Sequence, residues 1–362
     1  MKSAYRIQRI IVVIYCLFSM ALVPAGAQVE LGAVQWSRDL EQAQVQARAS
    51  SKPLFILFQE VPGCRTCRDY GKNVLSHPLL VEALETLFVP VAIYNNGRGK
   101  DQEALTLFGE PAWNNPVVRI TDAETRALTP RLTGTYDVAG VSHAMVKALR
   151  KVGKRVPGYL QVLHEEASSY KRGVERATFA MACFWSGEAH LGRKSGVVAT
   201  SPGFIGRHEV VEVLFDPARV SFAELLAHAA SGSCDRHVFA EDPRQRSEAG
   251  EVMGSRVSMR RGSMRPDQEP KYQMAQTYWR FVPMTELQQV RVNSSVGSRV
   301  DPGRWLSPRQ RALWETVRTH PRENWESMIG RSDLADAWLE VQHRAASAAD
   351  GRASVLTIEH SR

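Results

Sequence analysis

Apolar and polar positions along residues 37–153 follow two periods, and they predict strands alternating with helices. Continuous apolar runs predict buried strands at Pro53–Phe58, Phe88–Tyr94 and Val117–Thr121, the last with a hairpin partner near Leu128–Leu132. Spacings of three and four predict helices at Asp39–Ala49, His77–Leu87, Asp101–Phe108 and Val138–Val152. The order indicates a layered α/β domain.

A second α/β pattern follows Val156-Pro-Gly158 and the helical stretch Tyr159–Ser168. It predicts strands at Arg176–Ala182, Gly196–Ser201 and Glu209–Phe215, a turn at Pro202-Gly203, and helices from Phe184 and at Phe222–Ala230. These elements indicate a mixed sheet. Beyond Gly232 the pattern weakens: residues 241–275 are polar and predict loops, and helices return at Pro308–Arg318 and Leu334–Ala345.

The chain therefore divides into five predicted parts. They are a leader (1–27), a first domain (28–155), a linker helix (156–172), a second domain with a basic C-terminal extension (173–345) and a frayed tail (346–362).

The leader has the features of a secretory signal peptide. Lys2, Arg6 and Arg9 precede the apolar run Ile10–Val23, and Ala25-Gly26-Ala27 is a small-residue cleavage motif. The run is shorter than the roughly 20 residues that span a bilayer. We therefore expect cleavage before Gln28, no stable membrane insertion afterwards, and a periplasmic or secreted protein.

The net charge of the chain excludes few classes of function. The formal net charge is +8, and removal of the three leader cations leaves +5. The excess lies mainly in residues 244–320, without a recognised nucleic-acid module or an aromatic-basic platform. A solvated basic face is the simpler interpretation, and we expect no nucleic-acid partner.

Cysteine is too sparse for a disulfide-stapled scaffold, since five are present and Cys16 lies in the leader. Catalytic redox use fits better, with electrons passing through thiols and no other cofactor. Because an exported compartment oxidises dithiols, a reducing enzyme there needs a dedicated donor. We expect a membrane thiol:disulfide electron donor.

The motif Cys64-Arg-Thr-Cys67 follows a predicted buried strand and begins a helix. At such a place the helix dipole favours the thiolate of Cys64, and Cys67 lies one turn later, placed to attack a mixed disulfide. Two alternatives are a structural disulfide and half of a zinc site, for which Cys234 with His237 is the candidate second pair. We predict a redox dithiol and no metal site.

This region resembles the thioredoxins, in particular their exported thiol-interchange branch. Asn115-Pro116 stands just before a strand, where that family keeps a cis proline beside the dithiol, which implies that Pro116 contacts substrate. An ordinary trans proline in a turn is the alternative, since cis is the minority isomer of such bonds. Phe58 stands where thioredoxins bury an acid, so proton transfer would fall to Glu60 or to water.

A second thiol, Cys183, ends a predicted strand and is followed by Phe184 and Trp185. The motif Met181-Ala-Cys-Phe-Trp-Ser-Gly-Glu and the strand motif Gly203-Phe-Ile-Gly-Arg-His-Glu209-Val-Val resemble peptide methionine sulfoxide reductase A, over about residues 178–232. The resemblance implies the S epimer of methionine sulfoxide, free or in oxidised proteins, as substrate.

The chemistry of a sulfoxide suits these residue types. Its methyl group needs an apolar wall, which Phe184 and Trp185 would supply. Its oxygen must be protonated as a thiolate attacks the sulfur, and by position in the motif Glu209 is the acid. Cys183 would become a sulfenic acid. Core packing for the aromatic pair and a solvent-facing role for Glu209 are the plainer alternatives.

Sulfenic acids are discharged by a second thiol, and we expect Cys234 to form a disulfide with Cys183, which Cys64 attacks and Cys67 releases. Direct attack of Cys64 on the sulfenate, or a free or metal-binding Cys234, is the alternative. Phe204 stands where the family has an oxygen-holding tyrosine, and residues 234–246 contain no match for a second one. Fewer donors imply slower turnover or another substrate.

The sequence thus predicts an α/β protein with a thioredoxin-like N-terminal sandwich and a mixed α/β domain resembling methionine sulfoxide reductase A. The leading hypothesis is an exported peptide-methionine (S)-S-oxide reductase with a fused dithiol reductant. Two alternatives are a thioredoxin-like disulfide reductase whose second domain only binds substrate, and a redox sensor. We also expect Glu188 and His190 to lie on an exposed helix face.

Overall fold

A computed structural model describes residues 28–113, 116–232, 237–331, 333–342 and 344–345. The chain forms two compact units, Met1–Ala167 and Ser168–Arg362, whose boundary falls inside the helix Gly158–Arg172. The predicted signal peptide (1–27), Cys234, Asn115 and the predicted frayed tail (346–362) lie outside the described residues.

The first unit is built on a sheet of three strands in the order β2-β1-β3. Its elements are α1 (Leu40–Ser50), β1 (Leu54–Gln59), α2 (Arg65–Asn73), α3 (Pro78–Leu87), β2 (Val89–Tyr94), α4 (Lys100–Phe108), β3 (Val117–Thr121), α5 (Val138–Lys151) and α6 (Gly158–Arg172), which runs on into the second unit. β1 is parallel to β2 and antiparallel to β3. All six residues of β1 are buried, because the strand is central.

Local signals place the helices around this sheet. The carboxylate of Asp39 accepts a hydrogen bond from Gln42 N at the start of α1, and that of Asp137 accepts one from Gly140 N at the start of α5. The predicted hairpin partner near Leu128–Leu132 pairs antiparallel with β3 through isolated bridges, such as Val118 with Leu132, and forms no continuous strand. β1 ends at Gln59, and the short connection after it leads to Cys64 at the start of α2.

The second unit has a mixed sheet of six strands in the order β8-β7-β4-β6-β5-β9. Only the pair β7–β8 is parallel among the described strand pairs of this sheet. The elements are β4 (Glu175–Ala180), α7 (Phe184–Leu191), β5 (Val197–Ile205), β6 (His208–Phe215), α8 (Phe222–Ala230), β7 (His237–Ala240), α9 (Pro243–Met253), β8 (Val257–Met259), β9 (Arg265–Pro266), α10 (Tyr272–Ala275), α11 (Glu286–Gly297) and α12 (Pro308–Thr319).

Two predictions for this unit are wrong. Pro202 and Gly203 form no turn; they lie inside β5, where Gly203 is needed because a Cβ would come within 2.5 Å of Arg265 O. Residues 241–275 contain regular structure, including α9, which begins after Asp242 as N-cap with Pro243 in the first turn. Among the described residues, no helix has the length and apolarity needed to cross a membrane.

Candidate functional site

Cys183 lies where β4 leads into α7. It is the N-cap residue of that helix, with its carbonyl accepting from Gly187 N at 2.9 Å, and its side chain is exposed. The sequence prediction of a thiol at a strand end and helix start agrees with this geometry.

The side chain of Glu209 reaches the N-terminus of the helix that Cys183 caps. Its carboxylate accepts a hydrogen bond from the backbone N–H of Phe184, the residue after Cys183, at 3.0 Å. Its own carbonyl accepts from Met181 N at 2.9 Å, which fixes the start of β6 against the end of β4. A half-buried carboxyl group and a thiol thus share the N-terminus of one helix.

An aromatic cluster forms the floor of the site. Phe184 is buried, with its ring centroid 5.5 Å from that of Trp185 and 5.1 Å from that of Phe204. The guanidinium carbon of Arg265 lies 4.3 Å from the centre of the Phe204 ring. The rings of Phe184, Trp185 and Phe204 therefore form one aromatic cluster, in which Phe204 carries no hydroxyl group.

Two residues that the sequence analysis missed hold the indole of Trp185. The ring of Tyr272 stacks on it with centroids 3.9 Å apart and planes inclined by 8°, and its Nε1 donates to the carboxylate of Asp267 at 2.9 Å. The aromatic cluster therefore contains a tyrosine, which lies beyond residues 234–246 and contacts Trp185 through its ring. The pair stands later in the chain than residues 234–246, in the segment Asp267-Gln-Glu-Pro-Lys-Tyr272.

The exposure predicted for Glu188 is also wrong. Glu188 was expected on an exposed helix face, but its side chain is fully buried and forms an ion pair of 2.7 Å with Lys271. His190 is half-buried, with its ring stacked 4.2 Å from that of His228. The helix that begins at Cys183 is therefore covered by the chain on more sides than its sequence pattern indicates.

The dithiol forms a second reactive group, in the first unit. Cys64 is the N-cap residue of α2 and is exposed, whereas Cys67 is fully buried, and their sulfurs are 3.4 Å apart. The backbone N–H of Cys67 lowers the pKa of the Cys64 thiol, while burial raises the pKa of Cys67 to about 12. This asymmetry suits Cys64 as the attacking thiolate and Cys67 as the protonated partner.

Glu60 is an acid that lies close in space to this dithiol. One carboxylate oxygen of Glu60 and the two sulfurs all lie within 4.8 Å of one another. In the described part of the chain these three residues form the group that could hold a metal ion. Phe58 is fully buried in β1, so the strand itself presents no acid there.

Glu30 and Gly63 shape the turn that leads into the dithiol. Glu30 is buried, and its carboxylate accepts from Gly63 N at 3.0 Å. A Cβ on Gly63 would come within 2.6 Å of the Cβ of Cys67, so the turn before the dithiol requires glycine. Among the residues that the structure describes, the peptide bond Val61–Pro62 is cis.

Pro116 and Cys234 are two further predicted site residues, and the structure describes only the first of them. Pro116 is buried and directly precedes β3, whose first residue Val117 pairs with Phe58 near the end of β1. It therefore lies at the edge of the sheet from which the chain runs to Cys64, but the peptide bond Asn115–Pro116 and its predicted cis form lie outside the described residues. Cys234 also lies outside them.

Comparison with known proteins confirms both resemblances. A family model described as thioredoxin-like matches residues 35–123. The later part of the chain is similar to proteins named peptide methionine sulfoxide reductase MsrA. One from Geobacter metallireducens is 46% identical over 70 residues, covering 15% of this chain and 43% of the relative. Another from Yersinia pestis is 30% identical over 130 residues, covering 30% of this chain and 57% of the relative.

The chain thus spans about half the length of the curated relatives it matches. A solved structure titled DsbH Oxidoreductase is also similar. The alignment covers 34% of this chain and 86% of the chain in that structure, with 19% sequence identity and a TM-score of 0.28. The predicted fold class, a thioredoxin-like N-terminal region with a second α/β region, is confirmed.

Proposed function

We propose that this protein is a thiol-dependent peptide-methionine (S)-S-oxide reductase whose nucleophile is Cys183. The observation that carries the proposal is the placement of the Glu209 carboxyl group on the N-terminus of the helix that Cys183 caps. A thiol and a proton donor can there meet the sulfur and the oxygen of one sulfoxide. The likeness to proteins named peptide methionine sulfoxide reductase MsrA supports the assignment.

The proposed reaction transfers the sulfoxide oxygen to Cys183. The thiolate attacks the sulfoxide sulfur, and protonated Glu209 donates its proton to the oxygen as electron density moves onto it. The S–S bond formed by this attack then breaks as the protonated oxygen passes from the substrate sulfur to the sulfur of Cys183, so that methionine leaves as the thioether and Cys183 becomes a sulfenic acid. The substrate sulfur gains two electrons, and the sulfur of Cys183 loses the same two.

Phe184, Trp185 and Phe204 would bind the methyl side of the substrate. Their rings form one contiguous apolar surface beside Cys183, and a methyl thioether gains free energy by leaving water for such a surface. The indole of Trp185 is held in place by Tyr272, which stacks on it, and by Asp267, which accepts a hydrogen bond from its Nε1. Phe204 offers no hydrogen bond to the sulfoxide oxygen, which leaves Glu209 as the principal donor in this proposal.

Thiols would return the enzyme to its reduced form. In our proposal Cys234 condenses with the Cys183 sulfenic acid and water leaves, after which Cys64 attacks that disulfide and Cys67 releases Cys64. His237, three residues after Cys234, pairs with Ala180, three residues before Cys183.

A product measurement tests this function. The pre-reduced full chain is mixed with methionine (S)-sulfoxide, and methionine and remaining thiols are counted. We expect one methionine per chain for each pair of thiols oxidised, and none from the Cys183→Ser variant. Loss of insulin disulfide reduction in the Cys64→Ser variant, with that activity retained in Cys183→Ser, is the matched control. Methionine formation by Cys183→Ser would exclude the nucleophile.

A second function, disulfide reduction by the first unit alone, is favoured by the dithiol. An exposed Cys64 with lowered pKa beside a buried Cys67 is sufficient for thiol–disulfide exchange without the second unit. This function predicts turnover on disulfides and no methionine in the measurement above.

Export and the electron donor are further parts of the proposal. The leader pattern of residues 1–27 supports export to a periplasm or beyond, and an oxidising compartment would require a membrane thiol:disulfide donor for Cys64 and Cys67. N-terminal sequencing of the protein from its native compartment tests export. A mature chain that starts at Gln28 is expected, and an intact Met1 in the cell interior would contradict it.

A further inference from the structure

The segment Arg265–Tyr272, which we call the strap, is bound to the reductase site at both ends. At its start, β9 pairs with Gly203 and Phe204 of β5, and Asp267 N donates to Pro202 O at 3.0 Å. At its end, Tyr272 stacks on Trp185. The strap therefore joins the strand that carries Phe204 to the helix that follows Cys183.

The end of the strap depends on one buried carboxylate. Glu188 accepts from the ammonium of Lys271 at 2.7 Å, from the backbone N–H of Lys271 at 2.8 Å and from the hydroxyl of Thr200 at 3.0 Å. The Lys271 ammonium also donates to the carbonyl of Thr200. All of these groups are buried, so the charges have little water to replace a lost partner.

The same contact sets the backbone just before Tyr272. Lys271 has φ 56°, in the left-handed region that residues with side chains seldom adopt. Because Glu188 binds both the N–H and the ammonium of Lys271, it fixes this conformation from two sides. The next residue then places its ring 3.9 Å from that of Trp185.

Stability alone does not account for this arrangement, because apolar side chains of similar volume often replace a buried ion pair without loss. Accurate placement of the indole beside Cys183 does account for it. We propose that the Lys271–Glu188 ion pair is a positioning device for sulfoxide reduction, holding the strap so that Tyr272 and Asp267 fix Trp185. This role rests on the proposed function, and neither member of the pair touches the substrate.

The test compares two reactions of Cys183 in the pre-reduced full chain. One is methionine formation in a single turnover, which needs the aromatic wall. The other is alkylation of Cys183 by iodoacetamide, read by mass spectrometry, which needs only an accessible thiolate. We expect Lys271→Met to slow the first by about ten- to a hundredfold, the effect of a small misplacement, and to leave the second unchanged.

A double variant protects the test against misfolding. Glu188→Gln with Lys271→Met removes both charges together, so no unpaired charge is buried, and we expect a folded protein that reduces sulfoxide as slowly as the single variant. The control is Arg260→Met. Arg260 pairs with Glu212 at 2.6 Å and Glu241 at 2.7 Å in the same unit, and its loss should lower the melting temperature without changing the rate of methionine formation.

The outcomes separate the two proposals. A wild-type rate in either folded strap variant overturns the positioning role, as does an equal loss of sulfoxide reduction and alkylation. Absence of methionine from the wild-type protein overturns the proposed function itself. Wild-type turnover with an unaffected Lys271→Met variant would leave the proposed function standing and remove only the positioning role.

Discussion

Glu209 accepts a hydrogen bond from the backbone N–H of Phe184 at 3.0 Å, so its carboxyl group lies on the same helix end as Cys183. The N–H donor belongs to the residue that follows the thiol in sequence. The acid and the nucleophile of the proposed reaction therefore lie at one helix end, next to Phe184 and Trp185 in its first turn. The predictions below follow from this arrangement and from the geometry of the dithiol.

Removal of the acidic proton should slow sulfoxide reduction while the fold is kept. In Glu209→Gln the amide oxygen can still accept from Phe184 N, but the side chain has no acidic proton to donate. We expect single-turnover methionine formation to fall by about 10²- to 10⁴-fold, the usual contribution of general acid catalysis. Alkylation of Cys183 at the wild-type rate is the control. An undiminished rate of methionine formation would show that Glu209 is not the donor.

The two thiols of the dithiol should respond to pH in different ranges. The lowered pKa of Cys64 makes its thiolate available below the pH at which an ordinary cysteine reacts, and the pKa of Cys67, raised to about 12, keeps that residue protonated. In the reduced protein, iodoacetamide should modify Cys64 at neutral pH and Cys67 only as the pH approaches about 12. Peptide mapping across pH measures both rates, and equal rates would contradict the assignment.

Glu60 should assist the release of Cys64 from a mixed disulfide. Cys67 must lose its proton before it attacks, and a carboxylate oxygen of Glu60 lies within 4.8 Å of its sulfur. We expect Glu60→Gln to slow release by about a hundredfold at neutral pH, with the difference shrinking at high pH, where hydroxide removes the proton.

Glu30→Gln is the matched control for that variant. Its amide oxygen can still accept from Gly63 N, and Glu30 has no proposed part in proton transfer. Quenched samples that separate the mixed disulfide from the free chain give the release rate. Equal slowing in both variants would indicate a structural effect and no proton transfer by Glu60.

A phenol at position 204 should increase turnover. Phe204 packs 5.1 Å from Phe184 in the aromatic floor and cannot donate to a sulfoxide oxygen. Phe204→Tyr adds one hydroxyl group and keeps the ring, and we expect kcat/KM for methionine sulfoxide to rise by about tenfold, less than the 10²–10³ that loss of a well-placed donor costs. A reduced kcat/KM with unchanged stability would show that the apolar ring is required there.

The parts of the site that are close in sequence could be predicted from it. Cys183, Phe184 and Trp185 follow directly from a strand and a helix start, and Glu209 stands in the strand that pairs with that strand. Strand periodicity and the order of the two motifs contain this information. The dithiol is similar, because both cysteines lie in the first turn of one helix.

The strap could not be predicted in the same way. Its position depends on a carboxylate in α7 meeting an ammonium 83 residues later, and neither Glu188 nor Lys271 has a local pattern that indicates burial. Charged residues are usually exposed, which is why Glu188 was assigned to solvent. Tyr272 was missed because its place beside Trp185 is set by that long-range pair and by the pairing of β9 with β5.

The central claim is that the sulfur of Cys183 takes the sulfoxide oxygen. The most direct measurement uses the pre-reduced Cys64→Ser variant, in which the proposed return of Cys183 to a thiol is blocked. It is mixed with one equivalent of methionine (S)-sulfoxide and quenched with acid on the millisecond scale, and the state of Cys183 is identified by mass spectrometry. We predict that Cys183 appears as a sulfenic acid, trapped with dimedone, or as a disulfide, in an amount equal to the methionine released. Methionine released while Cys183 remains a thiol would contradict the account.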